Sequence, residues 1–318
     1  MLPISYKAKQ FLSLLIKLFI VIGAGVSIYF NLNTRDLHAL WGSNSLLAYR
    51  FFSFSTLCVL GVFTLVNWAL ECHKWQILAS VITPVSFTEA VRQSLIAFTA
   101  SLLTPNRIGE FGIKPLFFTK DAFKKGVLLT IIHHFSQFTA TLLFGFLGFL
   151  WLKPMVILLF PSLNIPGLFE VVLPVILILI WLLPVNKLIR LKQEEVTKVR
   201  VPYYKSMALS GIRYLIFTHQ FLFLISLTHT AFNYLELIAV ISGFYLLISA
   251  LPVIAFMDVV IKGGVAVWWF GFFGVNKTDI LLIITVMWVF NFVFPAIAGS
   301  LLLRKYELRP LTVISRKV

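Results

Sequence analysis

Six predominantly apolar runs, at residues 11–30, 51–71, 126–152, 169–189, 207–230 and 280–303, each hold twenty residues or more. An α-helix needs about 17–25 such residues to cross the hydrocarbon of a bilayer, so these runs restrict the chain to a membrane. Composition agrees: 59% of residues are hydrophobic and 12% charged, against an ordinary apolar share of roughly 45–50%. A soluble protein could not cover that much apolar surface. The fold class expected is all-α, a polytopic membrane protein of about six full spans plus two broken or re-entrant helical hairpins. The hairpins would form a pseudo-inverted repeat. Residues 1–318 read as a single membrane domain, with a first half at 1–189, a basic connector at 190–205 and a second half at 206–318.

The net charge of +15 invites a nucleic-acid reading, but the positions of the charges oppose it. Eighteen of the 27 Lys and Arg residues fall in alternate connections or at the termini, in clusters such as Lys7/Lys9, Lys74/Arg92 and Lys120/Lys124/Lys125. The opposite connections carry only Arg35, Arg50, Lys153 and Lys277. That asymmetry is the positive-inside pattern and places both termini in the cytoplasm; separately, the membrane expected is a bacterial inner membrane. The basic loops read as topology signals that also contact anionic lipids, and no nucleic-acid partner is expected. Cys58 and Cys72 lie fourteen residues apart on one predicted helix, about 21 Å, too far for a disulfide. The first apolar run is too long for a signal peptide and carries Lys17, so it reads as a retained helix.

Two places break the apolar pattern. In Thr-Pro-Asn-Arg-Ile-Gly-Glu-Phe-Gly-Ile-Lys at 104–114, a short apolar piece is interrupted and Arg107, Glu110 and Lys114 follow. Both flanks of this piece have cytoplasmic charge, so the segment is expected to enter and return from that side. In Leu-Pro-Val-Ile-Ala-Phe-Met-Asp-Val-Val-Ile-Lys at 251–262, the order proline, acid, lysine recurs with Asp258 and Lys262. Residues 236–279 start and finish outside, either as a re-entrant hairpin or as two spans. Paired broken segments in two halves are how transporters build a midplane binding site.

Charge at membrane depth costs roughly 2.5–3.5 kcal/mol per residue on insertion scales, so each station suggests a task. Glu110/Lys114 and Asp258/Lys262 are spaced i,i+4 with the acid first, which on a helix gives a facing pair. A carboxylate after a break sits near the positive end of a half-helix, and that terminus with its basic neighbours suits a phosphate. The structural alternative is a salt bridge at the interface or between helices. Arg213 and Lys17 read as snorkelling residues. His133 and Gln137 share one helical face and suit interhelical hydrogen bonds. Asn67, Glu71 and His73 end the second span, where they meet the first hairpin or water. No metal site is evident. Nucleophile elbows, HExxH motifs and P-loops are missing, and no cofactor is implied.

Asn67 with Lys74-Trp75, followed by Thr104-Pro105-Asn106-Arg107-Ile108-Gly109-Glu110, resembles the transmembrane region of lysylphosphatidylglycerol synthases, a flippase-like family. The likeness covers roughly residues 11–305 and is strongest over 67–118. Better-known members fuse this region to a cytoplasmic aminoacyl-transferase domain, for which this chain has no room. The resemblance thus implies the lipid-translocating part alone. By position, Arg107, Glu110 and Lys114 match the first motif. Asp258 and Lys262 fall at the second, where Val259-Val260 and Gly263 depart from the family pattern. The expected function is movement of an anionic phospholipid or polyprenyl-linked headgroup between leaflets. Arg107, Lys114 and Lys262 would receive phosphate, while Glu110 and Asp258 hold those cations. Two other classes stay open: an intramembrane lipid-phosphate transferase or hydrolase with a carboxylate base, and a non-catalytic partner of a lipid- or envelope-modifying enzyme.

Overall fold

The computed structural model describes residues 49–102, 104, 107–159, 193–228, 232–251 and 258–305. The expected spans at 11–30 and 169–189 and the turning point at Pro252 lie outside these residues. Among the described residues the fold is helical throughout, with no strand. Four helices are long and apolar enough to cross a membrane: Phe54–Ala79, Lys120–Met155, Pro202–Ser226 and Lys277–Leu303.

Helix α1 (Phe54–Ala79) starts where the Ser53 hydroxyl accepts from the Thr56 amide and fills an otherwise empty first-turn valence. Its buried side carries Leu60, Thr64, Asn67, Glu71, Lys74 and Leu78, at spacings of three and four that place them on one face. Polar groups therefore point inward while Leu65, Val62 and Val66 are exposed. That reverses the soluble pattern and suits a helix surrounded by lipid. The helix continues eight residues beyond the predicted run at 51–71, so Lys74 lies within it instead of in a cytoplasmic connection.

Helix α2 (Phe87–Ala100) begins at Ser86, whose hydroxyl accepts from the Glu89 amide. It has 14 residues, about 21 Å, short of the roughly 30 Å hydrocarbon layer. After the break come α3 (Glu110–Ile113) and a 3₁₀ turn at Lys114–Phe117, where Pro115 denies the chain an amide. Helix α4 (Phe123–Leu159) follows, and α5 (Gln193–Ser226) comes later in the chain. The expected polar connector at 190–205 is thus helical from Gln193 onward. Its Gln, Glu, Lys and Arg residues are good helix formers, and propensity prevails over polarity there.

Helix α6 (Tyr234–Ser249) opens with a capping box between Asn233 and Glu236 and lies along α4. At their crossing a Cβ on Gly148 would come within 2.6 Å of the Ser242 Cβ, so only glycine permits the approach. Helix α7 (Asp258–Gly271) turns through Gly274 into α8 (Lys277–Trp288). With 16 and 14 residues, α6 and α7 are also shorter than the hydrocarbon is thick. A π-helical turn at Val289–Val293 joins α8 to α9 (Phe294–Lys305). Helix α9 packs on α2 so closely that a Cβ at Gly299 would collide with the Leu95 carbonyl and the Thr99 hydroxyl.

The π turn carries the centre of a side-chain amide network. Asn67 donates to Asn291 Oδ1 at 2.9 Å, Asn291 donates to Gln220 Oε1 at 2.8 Å, and Gln220 donates to Thr64 Oγ1 at 3.2 Å. The Trp68 indole N–H reaches the Asn291 carbonyl at 3.2 Å. In lipid such bonds give helix contacts direction, whereas lipid tails favour one apolar face no more than another.

Candidate functional site

The break between α2 and α3 is built by its own sequence. Thr104 donates its hydroxyl hydrogen to the Ser101 carbonyl at 2.6 Å, and its oxygen accepts from the Gly109 amide at 2.9 Å. Gly109 is held so near that a Cβ there would lie 3.1 Å from the Ser101 Cα and from the Thr104 hydroxyl. Arg107 takes φ +59°, the one non-glycine among the described residues in the left-handed region. That conformation costs an L-residue about 1–2 kcal/mol, and here it accompanies a guanidinium directed at two carboxylates. The Thr-Pro-x-Arg-x-Gly-Glu string thus has a local explanation at Thr104, Arg107, Gly109 and Glu110.

Glu110 is fully buried and meets three partners. Arg107 contacts one of its oxygens; Lys114 Nζ lies 3.0 Å and His134 Nε2 3.3 Å from the other. The i,i+4 pair expected from sequence is formed. The expected half-helix terminus is missing here: α3 has only four residues before the 3₁₀ turn, too few to offer one to a ligand. The side chains around Glu110 supply the charge instead.

A second carboxylate, Glu71 on α1, lies beside the first. Lys74 Nζ and Arg213 Nη1 each approach Glu71 Oε2 at 3.1 Å, and His133 Nε2 lies 3.1 Å from Oε1. Arg107 Nη2 is 4.0 Å from that same oxygen, so one guanidinium faces both acids. Four parts of the chain converge: α1, the segment 107–114, α4 and α5. Arg213, expected to snorkel, turns inward, where it also donates to Gln137 Oε1 at 3.1 Å. Gln137 does make the interhelical bond expected of it, and His133 goes to Glu71.

Aromatic rings and hydroxyls hold the cations. Lys114 Nζ sits 4.7 Å from the centre of the Trp75 ring, and the Arg107 guanidinium 4.5 Å from that of Phe98. The Trp75 indole N–H donates to Gln93 Oε1 at 2.8 Å, fixing the ring. Lys74 donates to Ser210 Oγ at 3.4 Å, and Ser210 donates to Ser136 Oγ, which lies 2.9 Å from Ser206 Oγ. This serine chain links α1, α4 and α5 behind the cluster.

The resulting charge is unbalanced. Lys74, Arg107, Lys114 and Arg213 face Glu71 and Glu110, four cations against two carboxylates. No other acidic side chain among the described residues pairs with these four cations. Most of the cluster is closed off, but the Arg107 and His134 side chains are each 26% exposed and form its accessible edge. Among the described residues, no group of three His, Cys, Asp or Glu side chains could hold a metal.

The second station differs. Asp258 and Lys262 pair at 2.7 Å as their spacing predicts, on a helix face where the side chains are 18% and 36% exposed. No ion pair among the described residues joins them to Glu71, Glu110 or the four cations. Glu71 meets Arg107 of the first broken segment, one of the two places expected of it, whereas the sequence does not single out Lys74, His133, His134 and Arg213 as members of the cluster. For His133, His134 and Arg213 the signal is an ionisable residue on a predicted span, although Arg213 has an ordinary interfacial explanation; Lys74 falls just beyond the predicted run. Cys58 is exposed and Cys72 buried, both as free thiols.

No family model matches the chain, and no curated protein or solved structure matches it either.

Proposed function

We propose that the protein is a flippase-like membrane carrier that moves an anionic phospholipid or polyprenyl-linked headgroup between leaflets. One observation carries this reading: a buried cluster with two more cations than carboxylates, in a chain with four apolar helices long enough to span. Buried positive charge without a counter-charge costs several kcal/mol per ion, and a phosphate would supply the missing negative charge. Arg107 and Lys114 receive that phosphate. Glu71 and Glu110 hold the cations in place while the site is free of ligand. Acyl chains stay in the bilayer, because only the headgroup needs a polar route.

In this reading the short helices α2, α6 and α7 belong to two hairpins that enter from opposite faces, within about six full spans. Both termini are cytoplasmic and the membrane is a bacterial inner membrane. The resemblance to the lysylphosphatidylglycerol synthase transmembrane region supports the same assignment through the residues at 104–110.

The test is leaflet exchange of labelled phosphatidylglycerol in vesicles containing the purified protein, with phosphatidylcholine as the zwitterionic comparison. Faster exchange of the anionic lipid is expected, falling at least tenfold in Lys114→Gln at matched folded protein. Exchange no faster than in protein-free vesicles rejects the proposal, as does chemical turnover of the lipid without exchange.

A further inference from the structure

Resting on that reading, we infer that the cluster binds a proton together with the anionic headgroup, and that His134 is the proton-binding side chain. The protein would then couple headgroup movement to proton movement in the same direction. Helix α4 carries two adjacent histidines, His133 and His134. Each faces a different carboxylate, His133 toward Glu71 and His134 toward Glu110, with their rings 5.4 Å apart and nearly perpendicular. Only one of them has a way in: His133 is fully buried, whereas a quarter of the His134 side chain is exposed beside Arg107.

The chemistry at His134 is specified by its neighbour. Its Nε2 lies 3.3 Å from a Glu110 oxygen, an attractive contact only when that nitrogen carries hydrogen. An added proton therefore enters at Nδ1, converting a neutral ring into an imidazolium that stays paired with Glu110. No bond other than N–H forms, and the proton comes from water at the exposed edge. From the hairpin, His134 faces Glu110, Arg107, Lys114 and the Phe111 ring, 5.0 Å away between centroids. From α4 it meets His133. Glu71 and Lys74 on α1 and Arg213 on α5 complete the charged surroundings through Glu71.

An entering phosphate and an added proton change the charge of this closed cluster in opposite senses, so each favours the other. Coupling of this kind is reciprocal. Headgroup affinity must then rise as pH falls through the His134 titration, at most about tenfold per pH unit for one proton.

The experiment measures binding of dioctanoyl phosphatidylglycerol to the purified full chain in detergent at pH values from about 5.5 to 8.5. This phosphodiester keeps one negative charge throughout, so any slope belongs to the protein. Proton uptake on binding is followed with an indicator dye in weak buffer. The wild type is expected to bind more tightly at low pH and to take up a proton. His134→Gln, which retains a donor toward Glu110, is expected to lose both the slope and the uptake. Wild-type affinity that ignores pH, without proton uptake, overturns the inference whatever the variant does. A slope retained in folded His134→Gln overturns it too. Glycerophosphoglycerol, the same headgroup without acyl chains, separates the two claims. A pH-linked affinity for it supports the proton site, and leaflet exchange of the lipid no faster than in protein-free vesicles rejects the lipid substrate separately. No binding of either probe at any pH rejects both.

Discussion

Glu110–Lys114 and Asp258–Lys262 have the same spacing, the same order of acid and base, and nearly the same separation, 3.0 and 2.7 Å. They are nonetheless different objects. The first is sealed within a web that adds Arg107, His134 and, through Arg107, Glu71 with its own three partners. The second is one bridge on a partly exposed helical turn. Spacing along one helix determines that a pair forms; what other helices bring to it determines whether the pair can act. An i,i+4 pair in water contributes about 0.2–0.5 kcal/mol, whereas removing one member of a buried pair costs about 3–5 kcal/mol. The contrast between the stations is therefore open to measurement.

The largest difference should come from Glu110→Gln. It leaves Lys114 without its carboxylate and Arg107 facing only the more distant Glu71, and an unfolding free-energy loss of about 3–5 kcal/mol is expected in detergent titrations. A loss below about 1 kcal/mol would put the first station on the same footing as the second. Next is Arg213→Met, which removes one partner of Glu71 but leaves Lys74 and His133 at 3.1 Å. A loss of about 1–3 kcal/mol is expected by the same assay, since Glu71 remains partly satisfied. An unchanged midpoint would return Arg213 to the membrane interface. Smallest is Lys262→Gln, expected to cost no more than about 0.5 kcal/mol because its pair is partly exposed. Combined with Lys114→Gln, it should add to within about 0.3–0.5 kcal/mol. A coupling of 1 kcal/mol or more in that double-mutant cycle would mean that the two stations share a site.

Run length alone made the helical class and the membrane-spanning lengths readable, and the helical stretches at 54–79, 123–159 and 277–305 lie where apolar runs predicted them. The sequence also revealed Arg107, Glu110 and Lys114, because charge interrupts an apolar piece there. Lys74 was hidden by its position: near the end of a span, a lysine looks like a topology signal until the helix is seen to continue past it. Arg213 was hidden by its length, since a long side chain seven residues into a span can turn either way. Which way it turns depends on Glu71, 142 residues earlier in the chain. Local reasoning reaches pairs within one helix. It cannot tell that Glu71 and Glu110 share Arg107, because that depends on how four separate elements pack.

The π turn at Val289–Val293 has a geometric consequence for this assembly. An α-helix advances about 100° per residue, so one extra residue accommodated in a wider turn shifts the angular phase of everything after it. Asn291 can thus face Asn67 and Gln220 while, eight residues on, Gly299 still faces the Leu95 carbonyl. Taking one residue out of the turn would let the helix run straight, yet would rotate α9 by roughly a quarter-turn about its axis. Side chains would then meet α2 where now there is only the hydrogen of Gly299. The last span works as a key with two cuts, and the extra residue in the turn keeps both cuts aligned with their wards.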